Sequence, residues 1–102
     1  MRTMSDALRQ RVRRGIVFLD VNGPQGWREM IDLEHLDIAS TGDCVLGQLY
    51  GCFDAGVHRL KPRYHPYTYG FTLPAGWPGL SGERARAEWD KLNSVWHEEL
   101  AA

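Results

Sequence analysis

The stretch DCVLGQLYGCF, residues 43–53, decides how this chain is read. Val45, Leu46, Leu49, Tyr50 and Phe53 recur at i, i+1, i+4, i+5 and i+8, which makes a wide apolar face on a helix. Ser40 followed by Asp43 resembles a capping box with the shorter acid. Asp54-Ala55-Gly56 follows, with Gly56 suited to a left-handed stop. The spacing therefore predicts a core helix over 43–53. On such a helix Cys44 and Cys52 stand about 12 Å apart along the axis, at about 1.5 Å per residue. That separation forbids a disulfide between them and a shared metal ion. Gly47 and Gly51, four apart, share one side and would let another backbone approach closely. The plain reading is close packing. The functional one is an open notch for a ligand or a partner's helix, with Gln48 between the glycines as the polar group that reads it.

Working outward, Leu8, Val12, Ile16 and Leu19 form one helical stripe and predict a helix from about Met4 to Asp20. Thr3 or Ser5 is placed to cap it, and Val17 and Phe18 would widen its buried face. Gly15 argues against an unbroken helix, since a mid-helix glycine costs about 1 kcal/mol. The alternative is a helix ending near Arg14 and a strand over 16–21. Asn22-Gly23-Pro24-Gln25-Gly26 breaks the chain. Trp27, Met30 and Ile31 suggest a short helical turn, and residues 32–38 an acidic connector whose leucines plug the core. Pro62, Pro66, Pro74 and Pro78, among several glycines, make residues 57–82 irregular, with a short strand near 67–73 as an alternative. Trp89, Leu92, Trp96 and Leu100 share a stripe with Ala85 and Val95, predicting a final helix from about Gly82 to Leu100 behind a Ser81 cap. Arg84, Glu88, Asp90, Lys91 and Glu98 lie on its polar face. The fold expected is mainly α: one domain over 1–102, with the aromatic, Pro/Gly-rich loop 57–82 packed on the helices.

Composition narrows the function. The chain is 102 residues with 43% hydrophobic residues, enough to build a core without staples. Its net charge of −1 argues against nucleic acid as a partner. No apolar run approaches the roughly 20 residues that span a bilayer, and the N-terminus lacks the pattern of a signal peptide. Two cysteines are too few for a secreted disulfide scaffold, so a cytoplasmic protein with reduced thiols is expected. Charge is nonetheless uneven. Arg2, Arg9, Arg11, Arg13 and Arg14 crowd the first fifteen residues, while acids dominate residues 16–43. Arg9 and Arg13 share a helical face and form the candidate basic patch for phosphate.

Chemistry-bearing patterns are few. Cys44, Cys52, His58 and His65 lack the tight knuckles of a zinc site, so no metal and no cofactor is expected. A Cys–His pair drawn from either cysteine and His35, His58, His65 or His97 would suit nucleophilic catalysis, but no spacing selects one. There is no P-loop, G-x-G-x-x-G, G-x-S-x-G or H-E-x-x-H, and no catalytic residue is assigned. The stretch YHPYTYGF, residues 64–71, is the best pocket candidate. Tyr64, Tyr67 and Tyr69 combine planar faces with hydroxyls, a mixture common at binding surfaces.

Taken together, Arg14–Asp20, Trp27, Ile31-Asp32-Leu33, Leu36-Asp37, Cys44–Gly51, Gly70-Phe71 and the Trp-bearing final helix resemble small uncharacterised proteins of actinobacteriophages, their prophages and actinobacterial genomes. Cys44–Gly51 is the specific part of the resemblance, and Leu73–Gly79 departs from it. It implies a phage-type accessory protein in a bacterial cytoplasm and supplies no activity, cofactor or catalytic residue. The expected function is non-catalytic binding of a host protein or small ligand, for host modulation or counter-defence. A small Cys/His-dependent enzyme, a nucleic-acid binder using the N-terminal arginines, and a virion component are the alternatives.

Overall fold

Helix α1, Met4–Asn22, runs straight through Gly15. The strand weighed for 16–21 does not form. Leu8, Val12, Ile16 and Leu19 are all buried, so the stripe read from the sequence is the core face. Val17 is 60% exposed and does not widen that face, whereas Phe18 packs against it. The computed structural model describes residues 4–73 and 82–101. The proposed caps at Thr3 and Ser81 lie outside the described residues, as do Trp77 and most of the 73–79 stretch, and Ser5 is described only in its backbone.

Gly15 is explained by what lies across from it. A Cβ there would sit 2.1 Å from the backbone oxygen of Tyr69 and 3.2 Å from the Phe71 ring. Its counterpart, Gly70, has φ 72°, and a Cβ on it would come within 2.9 Å of the Val12 backbone. The two glycines therefore let the 69–71 backbone lie directly on α1. The cost of a mid-helix glycine is offset by that contact.

The predicted 43–53 helix is two helices. α3 spans Val45–Tyr50 and α4 spans Phe53–Leu60, following the one-turn helix α2, Trp27–Met30. The break falls at Gly51, whose φ of 99° is open to glycine and strained for other residues. Its N–H closes α3 on the Gly47 carbonyl at 2.8 Å. Each cysteine then caps a helix. Cys44 Sγ accepts the Gly47 N–H at 3.2 Å, and Cys52 Sγ accepts the Ala55 N–H at 3.4 Å. Ser40 Oγ accepts the Asp43 N–H one step upstream. The Phe53 N–H donates to the Thr41 carbonyl at 2.7 Å, which anchors the start of α4. Gly56 is thus no stop. It is buried within α4, where a Cβ would meet Leu46 Cβ at 2.8 Å, and so sets how closely α3 and α4 pack. α4 ends instead at Lys61, whose N–H caps the Val57 carbonyl.

After α4 a 3₁₀ turn, Pro66–Tyr69, stands where a strand was the alternative. It leads into an aromatic layer. Phe18 and Tyr69 rings lie 4.7 Å apart, and Phe71 stacks on Trp96 at 5.9 Å. Trp96 belongs to α5, Gly82–Ala101, whose Leu92, Val95 and Trp96 are buried. Its indole N–H donates to the Gly70 carbonyl at 2.6 Å in the interior. The described residues form a mainly helical protein around one core cluster, with no strand among them. No helix among them is long and apolar enough to cross a membrane.

Candidate functional site

The residues singled out from the sequence do not converge. Gly47 is buried, and a Cβ on it would lie 2.4–2.7 Å from the Thr41 and Gly42 backbone. Gly51 is exposed, with nothing within 4 Å of its missing Cβ. One glycine is packed against a loop and the other terminates a helix, so they do not line a common notch. Gln48 holds the connector to α3. Its Oε1 accepts the Asp32 N–H at 2.7 Å, and its Nε2 donates to the carbonyls of Asp32 and Asp43 at 3.1 and 3.0 Å.

The three tyrosines face different surroundings. Tyr69 is in the core layer. Tyr67 is half-buried beneath the Arg11 guanidinium, 5.5 Å from its ring centre, with the His65 ring 4.9 Å away. Tyr64 is 59% exposed, with Arg63 over its ring.

Arg9 and Arg13 are neutralised by α5. Arg9 pairs with Glu98 and Glu99, and Arg13 pairs with Glu99. The guanidinium hydrogen bonds, led by that of Arg13, hold the Glu99 carboxyl below its ordinary range. Of the basic block, Arg9 and Arg13 are therefore compensated by the C-terminal helix. The acidic stretch is partly compensated from within, by Arg28 on Asp20 at 2.9 Å. Burial pushes the Cys44 thiol above its ordinary value. Its Sγ is already engaged with the Gly47 N–H and, at 3.8 Å, with the Thr41 carbonyl. Cys52 is exposed. Among the described residues, no three of Cys44, Cys52, His58 and His65 bring ligand atoms together. Asp32, Glu34 and His35 do, within 4.8 Å of one another, but all three are exposed on the connector. Asp32 and His35 already pair at 2.7 Å, which lowers the acid and raises the imidazole.

A concave surface appears where the sequence pointed to none. The turn 37–41 is held by Ser40 N–H on the Asp37 carbonyl and by Ala39 N–H on the Asp37 carboxylate, at 3.0 and 3.1 Å. Asn93 of α5 anchors the turn by accepting the Ile38 N–H at 3.0 Å. Two depressions share Ala39 of this turn and Trp89 of α5. One, about 410 Å³, is lined by Asp37, Ala39, Arg86, Trp89, Asp90 and Asn93. The other, about 210 Å³, lies among Ile38–Thr41, Cys44, Phe53, Phe71, Thr72 and Trp89. Trp89 is only partly buried, because it sits at the edge of the stripe formed deeper by Leu92 and Trp96. The sequence assigned it to the core. Its position at the start of that stripe was the one available signal that its indole would be shared between core and surface. The pairing of Asn93 with residue 38, 55 positions away, left no trace in the sequence.

No family model matches the chain, and no curated protein or solved structure matches it.

Proposed function

We propose that this is a non-catalytic binding protein of the phage accessory kind, acting in a bacterial cytoplasm on a host protein or small ligand. The observation that carries the reading is the Trp89 indole standing as the common wall of two depressions. Ligand sites are concave, mostly apolar surfaces with a few placed polar groups, commonly of about 300–1,000 Å³. The larger of the two depressions falls in that size range, with Arg86, Asp37 and Asp90 lining it beside Trp89. The smaller adds Phe53 and Phe71. A planar or apolar group stacked on Trp89, carrying a polar or charged substituent toward Arg86 or the two acids, suits this arrangement.

The same geometry favours binding over thiol chemistry. A nucleophilic cysteine needs a lowered pKa or an adjacent base. Cys44, the thiol at the smaller depression, is raised by burial and occupied as a helix cap. Pairing of Arg9 and Arg13 with α5 likewise withdraws support from the nucleic-acid reading that rested on them.

The test is affinity capture from an actinobacterial lysate, with mass spectrometry of both proteins and small molecules. Wild type is compared with Trp89→Ala and Arg86→Glu, each checked for an unchanged thermal midpoint. Species enriched by wild type and lost from both variants are expected. Enrichment that survives both substitutions would move the binding surface elsewhere, and no enrichment over an unrelated control protein would refute binding.

A further inference from the structure

From Ala55 to Gly82 the chain carries no Asp or Glu, while HRLKPRYH, residues 58–65, places Arg59, Lys61 and Arg63 at alternate positions. The structure puts all three in the open, flanked by exposed His58 and His65. Elsewhere Arg9, Arg13, Arg28 and Lys91 each hold a carboxylate. Arg59, Lys61 and Arg63 hold none among the described residues, as is also true of Arg11, Arg14 and Arg86. Lys61 also occupies the left-handed region, with φ 48° and ψ 59°, at the end of α4. Glycine or asparagine is the ordinary residue at such a cap. Here the cap is a lysine, so the end of α4 also presents a cation.

Aromatic rings are interleaved with these cations. Tyr64 is 59% exposed, with the Arg63 guanidinium 5.8 Å from its ring centre. Tyr67 is flanked by His65 and by Arg11, which reaches over from α1. Cations without a carboxylate partner beside an exposed planar ring, that of Tyr64, are the two components of a surface for single-stranded nucleic acid. The cations track the phosphates, and the rings take the bases by stacking. A duplex offers no free base face. An anionic membrane is best bound by an amphipathic helix with a broad apolar side, and Tyr64 is the one large exposed apolar residue between 58 and 67.

We propose that the face formed by Arg59, Lys61, Arg63 and Tyr64 binds single-stranded nucleic acid without base specificity. It stands on α4 and the segment after it, not on the 37–41 turn and α5 that form the Trp89 cleft, so it goes beyond the function proposed above.

The experiment is fluorescence anisotropy of a labelled oligothymidylate of about 15 nucleotides, long enough for one site, with the full chain. Each single-strand phosphate contact contributes about −0.7 to the slope of log K against log salt, so three cations give about −2. Arg59→Glu with Arg63→Glu is expected to weaken binding at least tenfold and flatten the slope by about 1.4. Tyr64→Ala is expected to weaken it by about fivefold or more through lost stacking. Lys91→Ala, which touches a paired cation on another helix, is expected to change nothing. Circular dichroism verifies that each variant is folded. Three results would overturn the proposal. The first is no binding at about 50 mM salt. The second is equal affinity for duplex, with Tyr64→Ala silent. The third is competition by phosphatidylglycerol vesicles or polyglutamate as effective as by unlabelled oligothymidylate, which would assign the face to lipid or to acidic protein.

Discussion

Replacing Gly15 by alanine sets two parts of the structure against each other. Local helix energetics favour the change, since alanine in a helix interior is better than glycine by about 1 kcal/mol. Tertiary packing opposes it. The new Cβ would stand 2.1 Å from the Tyr69 carbonyl oxygen and 3.2 Å from the Phe71 ring. The near atom belongs to backbone, so no rotamer change relieves the clash. The 69–71 segment must move away from α1 by roughly 1.2–1.5 Å to restore an ordinary contact of about 3.3–3.6 Å. That movement disturbs the Phe18–Tyr69 contact, the Phe71–Trp96 stack and the buried hydrogen bond from Trp96 to Gly70. Overpacking a core costs typically 1–3 kcal/mol, and a backbone clash of this depth belongs at or beyond the upper end. Less the propensity gain, Gly15→Ala should destabilise by about 2 kcal/mol, or roughly 8–16 °C in thermal midpoint for a domain of this size. Urea and thermal unfolding, followed by circular dichroism and tryptophan fluorescence, measure it. Gly42→Ala, with nothing within 4 Å of the added Cβ, is the matched control and should be nearly neutral. A Gly15→Ala protein as stable as wild type, or more so, would show that the 69–71 backbone does not rest on α1.

The two thiols should separate by reactivity. Cys52 is exposed and should react with a maleimide or a chromogenic disulfide in the native protein, whereas Cys44, buried and raised by burial, should react only on unfolding. Two fast-reacting thiols, read by mass spectrometry, would contradict the cap assigned to Cys44. Stability should respond to acid through three carboxyls lowered by their partners: Glu99 by Arg13 and Arg9, Asp20 by Arg28 and Trp27, and Asp32 by His35. Their folded pKa values lie below the unfolded ones near 4, so their stabilisation is present above about pH 4 and is lost as pH falls through the folded values. His35 has the opposite sign. Its folded pKa is raised, so its contribution is full below about pH 6.5 and lost as pH rises through the folded value. Titration by NMR should place the His35 imidazole above its ordinary value in wild type and return it toward about 6.5 in Asp32→Asn. An unshifted His35 in the wild type would dissolve the pair.

Much of the architecture was legible because helical periodicity is a local property. The stripe Leu8, Val12, Ile16 and Leu19 and the stripe Leu92 and Trp96 are the buried faces of α1 and α5. The two ends of the chain could be read without knowing what they touch. The middle could not. Gly51, Cys52 and Gly56 admit both one helix stopped at 56 and two helices broken at 51, since each glycine serves as a stop or as a contact. Only the position of Thr41, whose carbonyl takes the Phe53 N–H, selects the second.

The candidate sites divide the same way. Trp89 belongs to the core stripe by periodicity, and its exposed side depends on where the 37–41 turn lies, which Asn93 fixes from 55 residues away. Which arginines are free is equally a matter of tertiary contact. The sequence crowds charge at Arg9 and Arg13, and α5 cancels it. The smaller group at Arg59, Lys61 and Arg63 stays unpaired among the described residues. By itself the sequence determined the helical class and the two long core faces, because these follow from spacing within a few turns. The tertiary structure decided which glycine breaks a helix and which lets backbones touch, which cysteine is sealed, and which cations face solvent. Each of those depends on a partner distant in the chain, and sequence spacing carries no record of it.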